Sequence, residues 1–66
     1  MPSTVIRHMR YNPETEILVI TFVSGKVYAY QPVPPDVYAR MLQSGSKGQF
    51  FNRFIRHQFD YRQLDN

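Results

Sequence analysis

Apolar and polar residues alternate along the first half of the chain and recur at helical spacing along the second. Thr4 to Tyr11 alternates imperfectly, which predicts a first strand with a bulge between Ile6 and Met9. Asn12-Pro13-Glu14-Thr15 then reads as a turn. Asn bonds the backbone ahead of it, and Pro13 presets φ at the second turn position. Glu16 to Phe22 is the clearest strand, with Ile17, Val19 and Thr21 on one side and Leu18, Ile20 and Phe22 on the other. Ser24-Gly25 reverses the chain, and Lys26 to Gln31 returns as a third strand.

The register of this hairpin decides where Tyr28 and Tyr30 point. A loop of Ser24-Gly25 alone sets them opposite Thr21 and Val19. A loop of Val23-Ser24-Gly25, with Gly25 left-handed in a bulge, sets them opposite Ile20 and Leu18. The second register joins Leu18, Ile20, Phe22, Tyr28 and Tyr30 into one apolar face, and we prefer it because so short a chain needs its aromatic rings inside.

Pro32-Val33-Pro34-Pro35 ends the strands, and a helix is expected to start at Pro34 or Pro35, with Asp36 favouring its positive end. Val37, Tyr38, Met41 and Leu42 form its apolar stripe, while Asp36, Arg40 and Gln43 point away. Ser44-Gly45 stops it. Ser46 and Gln49 have capping-box spacing and open a second helix. Its apolar face is Phe50, Phe51, Phe54, Ile55 and Phe59, with Arg53, Arg56 and His57 opposite. Residues 60–66 read as a tail that frays. The expected fold is α+β: a small antiparallel three-stranded sheet in β-β-β-α-α order, with two helices packed on one face.

Composition sharpens this picture. Sixty-six residues make one domain, spanning 1–66. The chain has no cysteine, so neither a disulfide nor a thiolate metal site supports it. Five phenylalanines and five tyrosines must supply the core. Met1 to Arg10 lacks an apolar run, and Ile17 to Val23 is too short to span a bilayer, so a cytoplasmic protein without membrane contact is expected. The net charge of +3 is unevenly spread: Pro32 to Phe59 carries Arg40, Lys47, Arg53 and Arg56 against Asp36 alone. A local excess of this kind attracts polyanions.

In this order, the residues resemble the KTSC domain. The likeness rests on Ile6, Met9 and Tyr11; Leu18, Ile20 and Phe22; Ser24-Gly25; Tyr28-Ala29-Tyr30; Val33-Pro34; Tyr38 and Leu42; and Ser46-Lys47-Gly48 with Phe50-Phe51-Asn52 and Ile55. It covers nearly the whole chain. Met9 stands where that family usually has Ile or Val, and Phe59 where Tyr is common; both keep an apolar body. The family is named for the C-terminal end of some lysyl-tRNA synthetases and also occurs as stand-alone bacterial proteins. The resemblance implies no established activity, and it suggests RNA binding by that association alone.

The candidate nucleic-acid contacts are Arg40, Lys47, Arg53 and Arg56 for phosphates, with Tyr28 and Tyr30 for base stacking. Against this, the preferred register buries the two tyrosines against the helices, and the arginines equally suit a solvated helix face. Ser46-Lys47-Gly48 is a candidate anion-binding helix start, although it lacks the P-loop pattern and simple capping accounts for it. His8 and His57 have no neighbours at metal spacing, so no metal or cofactor is expected. No nucleophile motif or tuned carboxylate pair points to an enzyme. The reading is therefore a non-enzymatic binding module with RNA as first partner. The alternative is a protein-interaction or self-associating module that uses the first or third strand as a free edge.

Overall fold

A computed structural model describes residues 6–64. The elements run β1 (Ile6–Asn12), β2 (Ile17–Phe22), β3 (Val27–Gln31), α1 (Pro35–Gln43), α2 (Lys47–Phe50), a π-helical turn at Phe51–Ile55, and β4 (Asp60–Gln63). The sheet is antiparallel, in the order β1-β2-β3-β4. The expected class is right and the strand count is corrected from three to four. The segment read as a fraying tail contains β4, which pairs with β3 from Tyr28↔Gln63 to Gln31↔Asp60. β3 is thus an inner strand, and among the described residues the edge strands are β1 and β4. The expected start of the first strand at Thr4 lies outside the described residues.

Local chemistry explains each element. β1 breaks register between Ile6 and His8, so the bulge falls where imperfect alternation placed it. Asn12 Oδ1 accepts the Glu14 N–H at 2.9 Å, the expected bond of an Asx turn. Beyond it, Glu16 takes a positive φ of 58° and its N–H donates to the Asn12 carbonyl at 2.7 Å. In the second hairpin, the Phe22 N–H donates to the Lys26 carbonyl at 2.9 Å, and the Gly25 N–H donates back to Phe22 at 2.8 Å. The loop is therefore Val23-Ser24-Gly25, with Gly25 at φ 95°. Leu18 pairs with Tyr30 and Ile20 with Tyr28, the preferred register.

α1 begins at Pro35, as its fixed φ favours, and holds Asp36 in its first turn. It ends at an extended Ser44 whose N–H bonds the Met41 carbonyl, so Gly45 does not supply a left-handed cap. At the start of α2, Ser46 Oγ accepts the Gln49 N–H at 3.3 Å. The reciprocal half of the box is taken over by Ser44, whose Oγ accepts the Ser46 N–H at 3.2 Å.

The helices cover the face formed by Leu18, Ile20 and Tyr30. These residues, with Val33, Met41, Phe51 and Ile55, make the buried core. Two expected core positions are corrected. Leu42 is 47% exposed, so the α1 stripe narrows to Val37, Tyr38 and Met41. Phe54 is 45% exposed for a different reason: the Arg56 N–H bonds the Phe51 carbonyl five residues back, at 2.9 Å. This wider turn packs more residues into each revolution. It swings Phe54 away from the direction of Phe51 while Ile55 stays inside.

A fourth strand that covers β3 should contribute to stability, whereas a frayed end would not. Deleting residues 60–66 is expected to lower the unfolding free energy by about 2 kcal/mol or more, from lost ladder bonds and ring contacts. Urea denaturation checks this, and an unchanged midpoint would refute the structural role of β4.

Candidate nucleic-acid interface

Alternation places the polar chemistry on two opposite surfaces. On the helix layer, Arg40, Arg53, Arg56, Lys47 and His57 are all exposed. Arg40 Cζ lies 6.0 Å from the centroid of the Phe54 ring, so α1 and the π-helical turn meet around that ring. Phe50 flanks the same ring at 4.8 Å between centroids. Arg56 reaches Asn52 Oδ1 at 3.4 Å. Among the described residues, none of Arg40, Lys47, Arg53 and Arg56 lies within 4.0 Å of a carboxylate.

The tyrosine pair sits elsewhere. Tyr30 is 3% exposed, with its ring 5.2 Å from Phe51 and 5.5 Å from Tyr61. Its ring is core. Tyr28 is half-buried among Phe22, Tyr30 and Tyr61, at 5.6, 6.4 and 5.3 Å. These edge-on contacts suit the ring quadrupoles, and they are how a short chain without disulfides builds a core. The first tyrosine of the chain has a structural task too. Tyr11 stacks on Tyr38 at 4.4 Å and donates its hydroxyl to the Val33 carbonyl at 2.6 Å, pinning the proline loop to β1.

Ser46, Lys47 and Gly48 stand at the start of α2, where the Ser46 hydroxyl is already committed to the Gln49 N–H. In that turn the Ser46 and Gln49 N–H groups are bonded to side chains of the chain itself.

The helix-free face of the sheet carries a second pair of cations that the sequence reading passed over. Arg10 is opposite Val19, Val19 opposite Ala29, and Ala29 opposite Arg62. One cross-strand row thus runs from arginine to arginine over a small apolar floor. Parity with Val19 along β1 was the available signal for Arg10; Arg62 needed β4. Two shallow depressions of about 130 and about 540 Å³ share Ile17 on this face. Among the described residues no three His, Asp or Glu side chains cluster as metal ligands, and no helix is long and apolar enough to cross a membrane.

A four-stranded antiparallel sheet with helices on one face, an aromatic core and outward cations defines a small α+β domain. The family model for the KTSC domain matches residues 2–59, and the chain belongs to that family. It is 44% identical over 62 residues to a lysine–tRNA ligase of Nostoc punctiforme, covering 94% of this chain and 11% of the ligase. The chain therefore spans about a tenth of that relative's length. It is 36% identical to an uncharacterised protein of Stutzerimonas stutzeri, covering 98% of this chain and 93% of that one. The crystal structure of a KTSC domain protein from Yersinia pestis superposes with a TM-score of 0.88 at 29% identity, covering 98% of this chain and 90% of the other.

Burial leaves a titration signature. The Tyr30 hydroxyl is pushed up from 10.0 to about 12, chiefly by desolvation and then by Tyr61 and Tyr28, with Arg56 opposing. A raised folded pKa means that the unfolded chain ionises first. The stability tied to this group is thus intact below pH 10.0 and drains away as pH rises toward about 12. Tyrosinate absorbance is expected to show an ionisation at about 12, and Tyr30→Phe should remove it. A Tyr30 that titrates at the ordinary value of 10.0 would contradict its place in the core.

Proposed function

We propose that this chain is a non-enzymatic module that binds single-stranded RNA across its helix layer. The observation that carries the reading is an exposed aromatic ring, Phe54, beneath Arg40 and adjacent to Arg53, in a surface whose cations lack carboxylate partners among the described residues. Phosphates need such unneutralised charge, and bases need a ring face or edge to stack on. Arg40, Arg53 and Arg56 contact the backbone, and Lys47 extends the surface at the start of α2. Stacking falls to Phe54, since Tyr30 is enclosed and Tyr28 is wedged between rings. The kinship with a stretch of lysine–tRNA ligase supports an RNA partner.

Charge and stacking separate cleanly in a salt titration. Each phosphate contact adds roughly 0.7 to the slope of log affinity against log salt for a single strand, so the double variant Arg53→Ala/Arg56→Ala should lower that slope by about 1.4. Phe54→Ala should cost about 1–3 kcal/mol per stacked base with the slope unchanged. Fluorescence anisotropy with a labelled oligonucleotide measures both. Absence of binding at low salt would overturn the reading.

A further inference from the structure

β4 is the last strand of the sheet, with one side of its ladder facing away from β3. Ladder phase comes first. The Leu64 N–H donates to the Val27 carbonyl at 2.7 Å, so residues 27 and 64 form a hydrogen-bonded pair. Bonded and non-bonded pairs alternate along an antiparallel ladder. Arg62 and Asp60 therefore bond inward, to Ala29 and Gln31, and the backbone of Tyr61 points outward at the sheet edge. An incoming strand must bond to Tyr61. Every residue of β4 is exposed, Tyr61 at 60%, and Leu64 just beyond the strand is 48% exposed.

We infer that two copies join antiparallel through β4, about a two-fold axis at Tyr61, into one eight-stranded sheet. Charge selects this register. Hydrogen-bond phase allows two-fold centres at any of the four residues of β4, and a centre at Gln63 sets Arg62 opposite Leu64, with no charge pair. A centre at Asp60 sets Asp60 against its own copy, and a centre at Arg62 sets Arg62 against its own copy. A centre at Tyr61 sets Asp60 opposite Arg62 of the second copy, and Arg62 opposite its Asp60. Both are non-bonded positions, where facing side chains come closest. In the single chain, neither Asp60 nor Arg62 has an ion-pair partner among the described residues.

The other edge offers no such match. β1 holds Arg7, His8 and Arg10 without a carboxylate, and its bulge blunts it. An axis perpendicular to the sheet keeps both helix layers on one side, so the dimer doubles the cationic surface without covering it. The inference does not depend on RNA.

Sedimentation of RNA-free protein over a concentration series to about 1 mM tests it, a range that captures weak pairing. The wild-type mass should rise from 7.9 kDa toward twice that value. Asp60→Arg alone turns both cross-strand contacts into Arg–Arg, and Arg62→Asp alone turns both into Asp–Asp. Each should weaken association by about tenfold or more. An equimolar mixture of the two variants restores opposite charges at both contacts and should associate as tightly as the wild type, which also shows that both variants fold. A wild type that stays at 7.9 kDa overturns the inference. So does a single variant that associates unimpaired, or a mixture that fails to recover.

Discussion

The structure depends on one backbone torsion. Gly25 at φ 95° permits a three-residue loop between β2 and β3, and that loop length sets the pairing of Leu18 with Tyr30 and Ile20 with Tyr28. A slip of one residue would carry both tyrosines to the helix-free face. The core would then lose Tyr30, and with it the ring contacts that tie β3 to Phe51 and β4 to β3. Because a 66-residue chain has little apolar area to spare, the hairpin register is where local stereochemistry and global burial must agree.

From this follows the separation of chemistry. Rings occupy the space between sheet and helices, and cations are left outside. No buried polar or charged residue interrupts the core among the described residues. Phe54 and Tyr61 are the rings that stay exposed, and the proposed binding surface uses Phe54. The π-helical turn adds a residue to the helix's revolution and turns one aromatic of a five-member apolar face out to meet Arg40. Turns of this type recur at functional sites.

Most of the fold was legible in the residues, for identifiable reasons. The β1 bulge, the Asn12 turn, the hairpin register, the Pro35 start and the Ser46 cap each rest on strong local chemistry. β4 was not legible. Asp60-Tyr61-Arg62-Gln63 has one apolar side chain in four and stays exposed on every residue, so neither periodicity nor composition marks it; it becomes a strand only because β3 offers an edge. The π-helical turn was hidden for a related reason, since Phe54 and Ile55 both fit an α-helical stripe. Of the candidate site, Arg40, Lys47, Arg53 and Arg56 could be read as exposed. The neighbourhood of Phe54 and the Arg10–Arg62 row required tertiary pairing.

In the proposed complex RNA meets the helix layer and leaves the open sheet face alone. Backbone amide shifts of isotopically labelled protein, followed while single-stranded RNA is added, test this most directly. Shifts are expected to concentrate from Arg40 to Leu42 and from Arg53 to His57, with Arg10, Val19 and Ala29 unmoved. Shifts centred on Arg10, Val19, Ala29 and Arg62, with the helix layer silent, would contradict it.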